Sequence, residues 1–352
     1  MKTVGIISEF NPFHNGHKYL IETVKKELQA DCVVAVMSGN FTQRGAPAVF
    51  DMHTRAKIAC ENGVDLVLEI PPQFVLNSAE FYAYYGVYIL HQLKHIDYIA
   101  FGSECGDISE LQKVASKTPE NVKEKMKNGI TYAKAVATSP ILAEPNNILA
   151  VEYLRAIKKL HSTIQPYTIK RISVEHNSKT PVGNYASASY IRESIRNDVD
   201  VSKYVPDLPK EIPVFDDCFI DLLNYRIIHS IPEDVSLIQN ISEGLENRII
   251  SNRGKENVRE MIESMKCKRY PETRIRRALY CLLLDIQKSN DKPSYTRVLA
   301  FSPTGQKFLK EVKKETEFPI YSRLTKKDIL ENYQLKKELV CNEIYYLGKR
   351  RF

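Results

Sequence analysis

The sequence predicts an α/β fold with a parallel sheet, followed by a mostly helical C-terminal region. Three observations carry this expectation. Through the first half of the chain, short apolar runs without helical period alternate with amphipathic segments, as strands and crossover helices do. A Pro- and Asp-rich stretch, DLPKEIPVFDD from Asp207 to Asp217, then breaks the pattern. Beyond it, apolar residues recur mainly at helical spacing.

The elements follow in order. TVGIIS (3–8) reads as a buried strand, and His17–Leu28 as a helix with Leu20, Val24 and Leu28 on one face. CVVAVMSG (32–39) is the second strand, followed by a polar loop, NFTQRGAPAV (40–49). Asp51 is a suitable N-cap for DMHTRAKIACENG, and Gly63 a natural stop. VDLVLEIP (64–71) is strand, SAEFYAYYGVYILHQL (78–93) helix and IDYIAFGSE (96–104) strand. A helix, NNILAVEYLRAIKKL (146–160), and a strand, YTIKRIS (167–173), complete a first region, 1–205. In the second region, 206–352, helices are expected at 219–230, 235–250, 256–266 and 274–286, then a small strand–helix–strand unit near 295–325.

Composition narrows the class. The 352 residues are 43% hydrophobic and 26% charged, which gives ample length for a sizeable core. No window approaches the roughly 18 consecutive apolar residues of a membrane span, and MKTVGIISEF reads as a strand rather than a signal peptide. Seven cysteines without a CxxC or zinc-like spacing indicate reduced thiols in a cytoplasmic protein with no metal site of its own. The net charge of +7 permits an anionic partner.

The stretch SEFNPFHNGHKYL, Ser8–Leu20, joins the first strand to the first helix. Ligands of parallel sheets bind beyond the strands' carboxyl ends, and a helix N-terminus offers free N–H groups to an anion. Gly16 lets backbone approach a phosphate, and His14 and His17, three apart, can both face it from the first helical turn. Two further stretches suit phosphate or RNA. In YASASYIRESI, Ser187, Ser189 and Arg192 supply hydroxyl donors and a guanidinium fork. KCKRYPETRIRR, Lys266–Arg277, holds six basic residues in twelve: Lys266, Lys268, Arg269, Arg274, Arg276 and Arg277. Tyr270 among them is expected to stack an unpaired base, with Arg274 and Arg277 facing solvent at a helix start, and the terminal KRRF adds to the charge.

FNPFHNGH and SASYIR resemble the two signatures of the HxGH nucleotidyltransferase superfamily, whose core is Rossmann-like. The blocks EFNPFHNGH, SGNFTQRGAPAVFD, GVDLVLEIP, FGSE and NNILAVEYLRAI, in that order, resemble the tRNA(Met) cytidine acetate ligase family over essentially the whole chain. The resemblance implies an AMP-forming ligase that activates acetate with ATP, accompanied by Mg²⁺, as acetyl-adenylate. The acetyl group then passes to the exocyclic amine of the wobble cytidine of elongator tRNA(Met). It implies catalytic roles for His14, His17 and Arg192, with Ser187 and Ser189 closing over the triphosphate. ATP contacts are implied at Ile7, Ser8, Glu9, Phe10, Asn11, Pro12, Phe13, Asn15, Gly16 and Leu20, and at Gly102, Asn147 and Arg171. Asn147 could hydrogen-bond the nucleotide or cap its helix, with Asn146 the alternative, and Arg171 is expected mid-strand. Gln43 and Arg44 are expected near the acyl substrate or the RNA. The sequence departs from the family's expected pattern at Met52-His53, where a lysine is expected, and at ISVEHN (172–177). The rival readings are a small-molecule adenylyltransferase and an RNA-binding protein with a regulatory ATP site.

Overall fold

The computed structural model describes residues 1–116, 140–171 and 181–350. ISVEHN, the last two residues of the predicted strand 167–173, and Arg351 and Phe352 of KRRF lie outside the described residues. The strands are β1 (Thr3–Ser8), β2 (Cys32–Ser38), β3 (Phe41–Thr42), β4 (Ala46–Pro47), β5 (Leu66–Ile70), β6 (Tyr98–Ser103), β7 (Gln165–Lys170), β8 (Thr296–Phe301) and β9 (Ile320–Tyr321). Among the described residues, seven of them form one sheet in the order β7-β6-β1-β2-β5-β8-β9.

From β7 to β5 every pairing is parallel, as predicted. Beyond β5 the sheet is mixed, because β8 pairs antiparallel with β5 and β9 parallel with β8. The predicted strand–helix–strand unit near 295–325 therefore forms, yet its strands extend the main sheet. They cover the edge that β5 would otherwise present. In β2, Val34 and Val36 face one core while Val33, Ala35 and Met37 face the other, the unbroken apolar run of a strand covered on both sides. Helices Ala79–Gln92, Pro145–Lys159 and Pro303–Glu315 cover the first face, and Asn15–Glu27 and Met52–Glu61 the second.

The chain runs outward from β1 through β2 to β5, then returns to the other side of β1 as β6. That reversal is the topological switch point, and it opens a crevice at the carboxyl ends of β1 and β6.

The helices between residues 216 and 286, joined by Tyr333–Lys349, pack around a separate core that contains Phe219, Met261, Ile275 and Tyr280. The helix predicted at 235–250 is two short ones, Pro232–Ser236 and Leu245–Ser251. Between them Asn240, Glu243 and Gly244 take positive φ of 66°, 63° and 91°. That turn breaks the helical hydrogen bonding and carries 240–243 toward the crevice.

Sequence reading misses the helix Tyr333–Lys349. Its buried stripe includes Glu338 and Asn342 beside Leu335, Cys341 and Tyr345, so the apolar period is weak. Tyr345 donates its hydroxyl to Ala48 O at 2.8 Å, and Asn40 Nδ2 donates to Asn342 Oδ1 at 3.0 Å. The polar loop 40–49 is accordingly an anchored hairpin, with the Phe41 ring against Phe219, Tyr280 and Tyr345.

Candidate active site

The site begins where β1 ends. Phe10 adopts a left-handed φ of 45° and buries its ring edge-on against His17, centroids 5.0 Å apart. A non-glycine residue in that region is held there by its surroundings, at a cost of about 1–2 kcal/mol. The next helix starts at Asn15, so His14 stands just before it in extended backbone as the N-cap.

His14 Nδ1 accepts the Gly16 N–H at 3.1 Å, and His17 Nδ1 accepts the His14 N–H at 3.2 Å. The two rings stack with centroids 3.8 Å apart. An Nδ1 that accepts a backbone N–H must keep its lone pair, which puts the ring proton on Nε2 in both residues. Burial and the Arg171 and Arg192 guanidiniums push the His14 pKa down to about 3. Burial, His14 and Arg171 likewise depress His17. The motif is thus a pair of neutral Nε2–H donors, a histidine capping box at a helix N-terminus. Gly16 serves this cap, since a Cβ there would lie 2.9 Å from His14 Cε1.

Cations surround the pair. Arg192 Nη1 donates to Asn11 O at 2.8 Å, and Nη2 donates to Ser189 Oγ at 3.3 Å. Ser187 caps the helix Ala188–Arg196 by accepting the Tyr190 N–H. Arg171 sits one residue past β7 rather than mid-strand, tied to Ser103 O by its N–H at 3.0 Å. A Cβ on Gly102 would lie 3.1 Å from Arg171 Cγ, so this glycine clears a path for the arginine stem.

A cavity of about 1040 Å³ takes in both walls of the crevice. Ile7, Ser8, Glu9, Phe10, Asn11, His14, His17, Leu20, Gly102, Arg171, Ser187 and Arg192 line one side. Arg269, Arg274 and Arg277 line the other, with Gln43 and Arg44 between. Two stretches far apart in the sequence therefore converge on one space.

Several predicted residues are absent from that wall. Asn147 is buried and committed: its Oδ1 accepts from Glu104 N and Cys105 N, and its Nδ2 donates to Ile141 O. Asn146 lines the cavity in its place. Phe13 packs behind His17, next to Pro12, and Ser189 only supports Arg192. Asn15 binds Asn184 O and Lys203 O through Nδ2, and Tyr204 O through its N–H. Gly16 faces a small adjoining recess.

The basic stretch also differs from expectation. Tyr270 is buried, with its hydroxyl donated to Glu243 O and its ring beneath Arg274, so it cannot stack a base. Arg274 pairs with Glu243 at 2.8 Å and points inward. Arg277 is the most enclosed of the group: burial lowers its pKa to about 10, and its Nε has no hydrogen-bond partner among the described residues. Gly45, at φ 78°, makes this possible, because a Cβ there would lie 2.4 Å from Arg277 N. Lys266 is exposed and paired with Glu263 and Glu272, and Lys268 is exposed outside the wall.

Sequence reasoning missed Arg55, which is fully buried. Its Nε donates to Phe50 O at 2.9 Å, and its Nη atoms donate to the carbonyls of Glu9, Ser38 and Gly39. It thereby fixes the backbone at the ends of β1 and β2. The available signal was a charge on the apolar stripe Met52, Ala56, Ala59.

The arrangement can grip a polyphosphate and stabilise charge that develops on it. The family described as HIGH Nucleotidyl Transferase matches residues 1–352. The chain is 41% identical over 385 residues to the tRNA(Met) cytidine acetate ligase of Thermoanaerobacter sp. (strain X514), covering 99% of this chain and 96% of that protein. It is 39% identical over 365 residues to the ligase of that name from Clostridium perfringens (strain SM101 / Type A), covering 93% and 90%. A crystal structure of apo Thermotoga maritima TmcAL superposes with a TM-score of 0.89 at 29% identity, covering 99% and 95%. A second, bound with alpha-thio ATP, superposes at 0.83 with 30% identity, covering 99% and 92%.

Proposed function

The chain belongs to the tRNA(Met) cytidine acetate ligase family of HIGH nucleotidyltransferases, and we propose that it makes acetyl-adenylate from acetate and ATP and then acetylates the wobble cytidine of elongator tRNA(Met). The observation that carries this reading is the stacked His14–His17 donor pair facing, across one cavity, the guanidiniums of Arg269, Arg274 and Arg277.

In the first step an acetate oxygen attacks the α-phosphorus and pyrophosphate leaves. The Nε2–H groups of His14 and His17, with Arg192, stabilise the added charge, and being neutral and pre-oriented they need no reorganisation. Arg171, Gly102 and Asn146 flank the nucleoside side. In the second step the N4 amine attacks the acetyl carbon, AMP departs, and N(4)-acetylcytidine forms. Arg44, Arg277 and Arg274 seat the RNA backbone, and Arg269, Lys268 and Lys266 extend the basic path outward.

Mg²⁺ fits as a companion of the triphosphate. Among the described residues no group of three or more His, Cys, Asp or Glu could hold a metal ion, and Glu9 and Glu243 are the carboxylates on the cavity wall. Such an ion, when bound, neutralises phosphate charge. On this reading residues 1–205 are the ATP-binding catalytic domain. Residues 206–352 supply the RNA wall, while β8 and β9 complete the catalytic sheet. We assign it to the cytoplasm, with its RNA; no helix among the described residues is long and apolar enough to cross a membrane.

The test is ATP–pyrophosphate exchange with purified protein, with and without acetate, followed by transfer of labelled acetate to elongator tRNA(Met). Acetate-dependent exchange and release of AMP support the reading. A product that retains AMP would identify a small-molecule adenylyltransferase instead.

A further inference from the structure

We propose that Glu9 is the base that takes the N4 proton in the acetyl-transfer step, an inference that rests on the ligase reading above. A cytosine amine gains an acyl group only by losing a proton. The C–N bond forms from the nitrogen lone pair, and the bond from the acetyl carbon to the phosphate oxygen breaks with its electrons going to AMP. One N4 proton is then lost, and a basic group on the cavity wall can take it.

The other ionisable groups on the wall cannot receive it. His14 and His17 already carry a proton on Nε2, and their Nδ1 lone pairs are occupied by backbone N–H groups. The guanidiniums have no lone pair to offer. Burial makes Tyr82 and Tyr153 hold their hydroxyl protons more tightly. Lys288 donates to Ser236 O, and Glu243 is engaged with Arg274 on the far wall. Glu9 remains.

Its surroundings suit the task. The Glu9 Oε1 accepts the Gln43 N–H at 2.7 Å, while Oε2 makes no hydrogen bond to a described residue. Arg55 holds the Glu9 carbonyl, and the left-handed turn at Phe10 leaves Glu9 on the cavity wall with the neighbouring ring buried. Arg192 and Arg55 face the carboxylate electrostatically, as do the Tyr82 and Tyr153 hydroxyls. The carboxylate thus sits against the hairpin that carries Arg44, on the wall of the cavity that the histidine pair also lines.

The experiment compares wild type, Glu9→Gln and Glu9→Asp in the full chain. Acetate-dependent ATP–pyrophosphate exchange is measured without RNA, and single-turnover acetyl transfer to an elongator tRNA(Met) transcript across pH. Glu9→Gln keeps an acceptor for Gln43, and transfer is expected to fall at least about 30-fold more than exchange does. Glu9→Asp should recover part of the rate. Wild-type transfer by Glu9→Gln overturns the proposal. So does an equal loss of exchange and transfer, which would assign Glu9 to the activation step. Absence of both activities in wild type would instead overturn the ligase reading, and Glu9's role with it.

Discussion

His17 orients His14: its Nδ1 accepts the His14 backbone N–H at 3.2 Å, and His14 in turn caps the helix on which His17 sits. Neither donor is placed independently. His17→Asn should therefore lower acetate-dependent exchange by about 10²–10³-fold, as loss of one oxyanion-type donor does. His17→Ala leaves the His14 N–H without its acceptor as well, and urea unfolding should register a further loss of about 1 kcal/mol.

Stability should depend on pH through the same pair. Both histidines are neutral when folded, and His14 titrates near 3 against an ordinary value of 6.5. The unfolded chain takes up these protons first. The contribution is complete above pH 6.5 and is lost progressively as pH falls from there toward 3. In urea titrations at pH 7, 6, 5 and 4, wild type should lose stability faster than His14→Asn. A constant difference between the two would show that His14 is not held neutral.

Gly102→Ala should strike Arg171 rather than the nucleotide. The added Cβ would lie 3.1 Å from Arg171 Cγ, so the stem must shift. The KM for ATP should rise about tenfold with the circular dichroism spectrum unchanged, because a displaced guanidinium misplaces its phosphate or ribose contact.

Arg277→Gln should separate the two half-reactions. Exchange without RNA should stay close to wild type, while the KM for tRNA rises about 10- to 100-fold and the salt slope of binding falls by about one. Lys268→Ala, at an exposed position off the cavity wall, should leave exchange unchanged and raise the KM for tRNA by less, about two- to fivefold.

Phe41→Ala should cost about 3–5 kcal/mol, since the ring sits fully buried among Phe219, Tyr280 and Tyr345. Thermal unfolding would read this directly.

The sequence was most informative where the relevant chemistry is local. His14, Gly16 and His17 lie within one turn, after an apolar strand whose period identifies it, so motif and placement can be read together. Arg192 and Ser187 were legible for the same reason. What could not be read depends on distant pairing. Tyr270 looked available for stacking because nothing nearby in sequence announces Glu243 as its partner. Asn146 and Asn147 are adjacent, and only the Glu104–Cys105 backbone decides which one is consumed. The helix Tyr333–Lys349 disguised its buried face with Glu338, whose partners Tyr295 and Arg297 lie on and beside β8.

That last helix has a consequence for how the enzyme comes into being. Asn342 and Tyr345 grip Asn40 and Ala48 across 302 and 297 residues of chain, and Glu338 closes on Arg297 beside the buried Glu69. The hairpin beside the histidine loop is therefore braced from a helix some 300 residues further along the chain. A chain truncated at about residue 330 would carry every motif residue and still lack the brace that holds the hairpin of Arg44 in place.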